Sequence, residues 1–177
     1  MCLAPPGNLR LPLLTMTDLL QPSSGFLANG VLGEAVHRFA LRVYFADTDL
    51  SGVVYHANYL RWFEQARSEL LRLLGIEQRN VQEAGEGTYA VADLTIRYLA
   101  PARLDDVLVI ETRAEEIRAA SCRMHQQAWR GSDMLAEARL RIGFVGPDGR
   151  PRRQPEAWRR AFANISPPKP GESRPTE

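Results

Sequence analysis

Apolar residues recur through the middle of the chain with two different periods, and the changes of period mark out the elements. From Ala57 to about Leu74 they fall at Tyr59, Trp62, Phe63, Ala66, Leu70, Leu73 and Leu74, a spacing that lines one face of an α-helix. Gly75 supplies the stop. Ahead of that helix, HRFALRVYF alternates and is rich in β-formers, so it predicts a strand that ends where Asp47 begins a turn. Beyond a glycine-containing connection at 85–87, TYAVADLTIRYLA places Ala90, Ala92, Leu94, Ile96 and Tyr98 on one strand face, and Pro101 ends the run. DVLVIETRAEEI, ASCRMHQQAWR and DMLAEARLRIGFV continue as strands, the last two joined by a hairpin turn at Gly131-Ser132-Asp133. A short helix is expected from Glu156 to Phe162, carrying Trp158 and Phe162.

This order predicts an α+β fold in which one long helix buries its stripe against a curved, five-stranded antiparallel sheet. A sheet of that kind has free edges, which points to a dimer or a higher oligomer. The folded body spans 36–165. Residues 1–35, with Pro5, Pro6, Pro12 and Pro22 and no sustained period, read as a flexible N-terminal extension, and the Pro-rich polar tail 166–177 as disordered.

Composition narrows the class. A chain of 177 residues suits one domain, and 45% hydrophobic with 24% charged residues is ordinary for a globular protein. The net charge of +1 carries no basic field for nucleic acid. Two cysteines, Cys2 and Cys122, make neither a disulfide framework nor a zinc site and suit a reducing cytoplasm. No apolar run approaches the ~18 residues of a membrane span. The N-terminal apolar patch is cut by Pro12 and lacks the marks of a signal peptide.

The chemistry concentrates in YFADTDLSGVVYHANYLRWFEQAR, Tyr44 to Arg67, where two carboxylates and a histidine sit on a glycine-containing turn just before the long helix. A helix that begins near His56 to Asn58 offers N–H groups without intrahelical partners at the positive end of its dipole, which is an oxyanion hole in waiting. Gly52 permits a backbone conformation or a close approach that other residues resist. Asp49, seven positions before His56, can fold back to the helix start, as a nucleophile on an acyl carbon or as a general base for water. His56 contributes either its side chain, at the carboxylate or the leaving group, or its backbone N–H.

Plainer readings compete at each position. Asp47 and Asp49 before a helix can be a solvated turn with Asx hydrogen bonds, and His56 a cap or a surface residue. A metal held by Asp47, Asp49 and His56 lacks a further His or Cys at matching spacing, so no metal is expected. Glu64, two turns into the helix, is a second-rank nucleophile or base whose simpler role is an ion pair with Arg61 or Arg67. Tyr59 and Trp62 read as core, and His37 and His125 as surface residues. Arg150, Arg152, Arg153, Arg159 and Arg160 suit the phosphates of a nucleotide-bearing ligand or simply a solvated face.

The stretch RVYFADTDLSGVVYHANYLRWFEQAR resembles the signature of hotdog-fold acyl-CoA thioesterases of the 4-hydroxybenzoyl-CoA type. With YLAPARLDDVLVIET, 98–112, it is similar to the branch associated with the bacterial Tol-Pal cell-envelope system, over about 36–165. The resemblance implies a helix wrapped by an antiparallel sheet, edge-to-edge dimers and usually tetramers built from two dimers, and acyl-CoA hydrolysis without a metal or other cofactor, coenzyme A being part of the substrate. It puts the catalytic aspartate at Asp49 and the carbonyl-polarising amide at His56. Tyr55 and Asn58 match neighbouring signature positions and join Gly52 as candidate substrate contacts. Two rivals remain: a hotdog dehydratase acting on 3-hydroxyacyl thioesters, and a non-catalytic acyl-CoA-binding or scaffold protein of the envelope. The fold does not choose among them, while the pairing of Asp49 with His56 favours the enzyme.

Overall fold

The computed structural model describes residues 30–33 and 35–163. Six strands form one antiparallel sheet in the order β1-β2-β4-β5-β6-β3, with β1 at Val31–Gly33, β2 at Val36–Arg42, β3 at Thr88–Tyr98, β4 at Val107–Ile117, β5 at Ser121–Arg130 and β6 at Asp133–Val145. Helix α1, His56–Leu73, lies across the concave face, followed by a single-turn helix α2, Gln78–Glu83; α3, Glu156–Ala163, packs near the chain's end. The five long strands are those expected from the period-two runs. The sixth, β1, pairs Val31 with Arg38 inside the stretch assigned to the extension, because those three residues can complete the edge of β2. The expectations for residues 1–29 and for the tail lie outside the described residues.

The inward strand positions follow the pleat. Leu108, Ile110, Thr112 and Ala114 of β4 and Cys122, Met124, Gln126 and Ala128 of β5 are all buried beneath α1. They form two apolar clusters. One gathers Tyr59, Trp62, Phe63 and Ala66 against Leu108, Ile110 and Ala128; the other gathers Leu70, Leu71 and Ile76 against Met124, Leu140, Phe144 and Phe162. Each fully buried large side chain contributes roughly 1.5–3 kcal/mol.

Where the clusters meet, the positions between Ile110 and Ala114, and between Met124 and Ala128, are polar. Gln126 Nε2 donates to the Phe63 carbonyl and to Thr112 Oγ1, both at 2.9 Å, and Gln126 Oε1 accepts from Arg67 at 2.7 Å. A polar bolt thus fixes the register of the helix on the sheet.

Three details depart from the sequence pattern. The stripe on α1 ends at Leu71 rather than Leu73, since Leu71 packs with Ile76 and Ile142 in the second cluster while Leu73 stays exposed. In β3 the pairing steps from Val91–Ile142 to Asp93–Arg141, so Ala92 is an extra residue and the alternation flips. Tyr89 ahead of that bulge, and Leu94 and Ile96 beyond it, therefore pack on the core; Ala90, Ala92 and Tyr98 do not. His37, expected at the surface, is fully buried on β2, paired in register with the buried Thr112.

Candidate active site

The loop between β2 and α1 is built by its own backbone. Asp47 N–H bonds to the Tyr44 carbonyl at 2.9 Å in a short 3-10 turn, and the Asp47 carboxylate accepts the Tyr44 N–H at 2.8 Å. A tight turn then reverses the chain. Asp49 N–H donates to the Val53 carbonyl at 3.0 Å, and Gly52 N–H donates to the Asp49 carbonyl at 2.9 Å. Gly52 sits at φ +73, the left-handed region where a side chain would be strained, although nothing lies within 4 Å of where its Cβ would be. Its role here is to close the turn.

Two bonds anchor this turn to the helix. Asp47's carbonyl accepts the Tyr55 N–H at 2.9 Å and the Asn58 Nδ2 at 2.8 Å, and Asn58 is buried. On the far side Val54 N–H donates to the Ala102 carbonyl at 2.9 Å, and Ala102 N–H in turn donates to the Tyr59 hydroxyl at 3.2 Å. The helix start is thereby fixed relative to the loop from two directions.

That start carries no side-chain cap at Tyr55 and no acidic residue in its first turn. Asn58 N–H bonds back to the Tyr55 carbonyl at 2.9 Å, whereas the N–H groups of His56 and Ala57 have no partner among the described residues. These are the unpaired donors at the positive helix end that an incoming oxyanion requires. The Tyr98 hydroxyl donates to the His56 carbonyl at 3.0 Å, bringing the end of β3 over the same point, and the rings of Tyr55 and His56 lie 4.5 Å apart.

Asp49 stands on the exposed side of the loop, and Ser51 orients it. The Ser51 N–H donates to Asp49 Oδ1 at 2.8 Å, and the Ser51 hydroxyl donates to the same oxygen. These two bonds, with a smaller contribution from the His56 imidazole nearby, hold the Asp49 carboxyl below the usual carboxylate range. The second carboxylate oxygen has no bond among the described residues, which leaves it open to a substrate or water. Ser51 escaped the sequence reading. Its signal is an Asp-x-Ser spacing, which favours an Asx turn but occurs in many loops.

The remaining candidates divide. Tyr55 is half exposed beside His56, whereas the buried Asn58 spends its amide on the loop. Glu64 is exposed and accepts the Ser68 hydroxyl at 2.7 Å; it makes no ion pair within 4.0 Å with Arg61 or Arg67 among the described residues, although its charge favours the Arg67 cation. Arg67, one turn on, is drawn into the core by Gln126, and burial lowers its pKa from the ordinary arginine value. The arginine run near the C-terminal helix is spread over separate tasks: Arg152 donates to the Glu86 carbonyl at 2.8 Å, and Arg159 and Arg160 both face Glu156. Cys122 is buried, and burial pushes its thiol up to about 12, so it is not a nucleophile. No helix among the described residues is long and apolar enough to cross a membrane.

The chain thus lays a helix in the palm of an antiparallel sheet, with an aspartate on the loop that feeds the helix's open end, the arrangement that the resemblance to hotdog thioesterases implies. The family model for the thioesterase superfamily matches residues 51–137. Acyl-CoA thioesterase YbgC of Haemophilus influenzae is 41% identical over 107 residues, covering 60% of this chain and 79% of that protein. Acyl-CoA thioester hydrolase YbgC of Escherichia coli is 37% identical over 117 residues, 66% of this chain and 87% of its own. Among solved structures, a probable thioesterase from Bartonella henselae superposes with a TM-score of 0.65 at 40% identity, covering 68% of this chain and 99% of that one. The chain belongs to the thioesterase superfamily and, within it, to the family of these YbgC-type proteins.

Proposed function

We propose that the protein is an acyl-CoA thioesterase. The thioester carbonyl oxygen docks on the unpaired N–H groups of His56 and Ala57, where donors of this kind are worth about 3–4 kcal/mol to the developing oxyanion. The Asp49 carboxylate then either attacks the carbonyl carbon, giving an anhydride that water opens, or takes the proton of an attacking water. In both routes the C–S bond breaks, its electron pair leaves on the sulfur of coenzyme A, and the acyl group departs as the free acid. The observation that carries this reading is the joining of an ionised Asp49 to an uncapped helix start by the Asp47–Asn58 clamp.

On a single chain the site is open. Phe45 is 80% exposed and Leu50 fully so, with Tyr44 and Tyr55 beside them. Such an apolar rim suits a second copy of the chain that covers the loop and excludes water from the carbonyl. A homodimer, or a homotetramer made from two of them, is therefore part of the reading. The chain's cysteine usage suits a reducing cytoplasm, and the family resemblance supports a place beside the Tol-Pal system or in lipid metabolism.

The test is to incubate the purified protein with a panel of acyl-CoAs of rising chain length, aromatic ones included, and to trap released thiol while identifying the acyl product. Free coenzyme A and free acid are expected. An enoyl thioester in place of thiol would make it a dehydratase, and binding without turnover a scaffold.

A further inference from the structure

Each of the two amides at the helix start belongs to a planar peptide that has a carbonyl on its other side. Behind the His56 N–H is the Tyr55 carbonyl, which accepts the backbone N–H of Asn58 at 2.9 Å. Behind the Ala57 N–H is the His56 carbonyl, which accepts the Tyr98 hydroxyl at 3.0 Å from the far end of β3. A carbonyl only accepts, so the phenol must keep its proton to make this bond. Partial burial raises the Tyr98 pKa from the ordinary phenol value, which favours the protonated form.

The sheet aims this phenol. Tyr98 pairs in register with Ala136 of β6, and the next residue, Leu99, donates its N–H to the Leu135 carbonyl at 2.8 Å. The Tyr98 ring stands edge-on to the buried Tyr59, with centroids 5.5 Å apart, and to the His56 imidazole at 6.2 Å. A hydrogen bond on a carbonyl draws electron density to its oxygen and makes the N–H of the same peptide a stronger donor. Because the peptide is planar, holding the oxygen also fixes the direction of the N–H. We infer that Tyr98 is a positioning residue for the oxyanion hole, which aims and strengthens the Ala57 N–H through the His56–Ala57 peptide. The inference rests on the thioesterase reading for the oxyanion that this N–H meets. One such donor is worth about 10²–10³-fold in kcat, so strengthening it by about 10–30% is worth roughly 2- to 8-fold, and loss of aim adds to that.

Two changes at position 98 of the full-length protein test it. Tyr98→Phe keeps the ring and removes only the hydroxyl, while 3-fluorotyrosine at the same position keeps the bond with a more acidic donor. At about pH 6, where these phenols hold their protons, kcat for thiol release is expected to fall about three- to tenfold in Tyr98→Phe and to exceed wild type with 3-fluorotyrosine, with KM within about twofold throughout. A residue that served only folding would respond to loss of the hydroxyl but not to its acidity. The backbone nitrogen resonance of Ala57 in the ligand-free protein reads the polarisation without turnover, and it is expected to move in opposite directions in the two variants. On an active wild type, a kcat loss below about threefold in Tyr98→Phe, a fluorinated variant no faster than wild type, or an Ala57 resonance unmoved in both overturns this inference alone. Absence of thiol release from the wild type sinks the thioesterase reading itself and takes this inference with it.

Discussion

Asn58 offers a direct way to ask whether the helix–loop clamp matters to the chemistry. Asn58→Ala removes the 2.8 Å bond from Nδ2 to the Asp47 carbonyl. That carbonyl keeps the Tyr55 N–H, so no acceptor is orphaned, and the lost bond costs about 1 kcal/mol. Removing the rest of a buried side chain adds about 1 kcal/mol more. For a chain of this size the sum lowers Tm by about 4–8 °C, which leaves the protein folded at assay temperature. The turn bearing Asp49 then loses one of the two bonds that hold Asp47 to the helix. A shift of about 1 Å between a catalytic group and its substrate can cost a hundredfold, so kcat is expected to fall by about that factor while KM moves much less. Thiol-trapping kinetics and a thermal melt on the same preparation give both numbers. A Tm that falls as expected with kcat unchanged to within about twofold would make Asn58 a stability residue alone and break the link between clamp and catalysis.

Further outcomes follow from the same geometry. Ser51→Ala removes the hydroxyl that bonds Asp49, so the Asp49 pKa rises toward its ordinary value of about 3.9, and the acid limb of kcat/KM moves to higher pH; an unmoved limb in the pH–rate profile argues against Asp49 as the titrating group. The depressed pKa also stabilises the folded chain above the unfolded carboxylate value near 3.9, and this contribution disappears as pH falls through the lower folded value. Gln126→Leu strips Arg67 of its hydrogen-bond partner inside the core and is expected to cost about 3–5 kcal/mol in urea unfolding, whereas a loss below about 1 kcal/mol would mean that Arg67 swings out to water.

The helix and the strands were legible because burial on one face imposes a period, and Tyr59, Trp62, Phe63, Ala66 and Leu70 of α1 and the inward residues of β4 and β5 obey it. The site motif was legible for a different reason: the Asp49, Gly52 and His56 spacing lies within one continuous loop, so no long-range contact is needed to assemble it. What stayed hidden depends on partners distant in sequence. Ala92 breaks the alternation of β3 only through its pairing with β6, and nothing local marks a bulge at an alanine. His37 alternates like a surface residue but is buried in register with Thr112. Gln126 looks like one more polar strand residue until Arg67, 59 positions earlier, is laid over it. Asn58 sits at a signature position that suggests a substrate contact, yet its amide is occupied by a carbonyl eleven residues back.

The central claim is that the charge on Asp49 drives thioester cleavage. Asp49→Asn preserves the size of the side chain and an oxygen for Ser51 while removing that charge. Steady-state thiol release by this variant, compared with wild type on the best acyl-CoA of the panel, should fall by about a thousandfold or more. Hydrolysis at the wild-type rate would contradict the account.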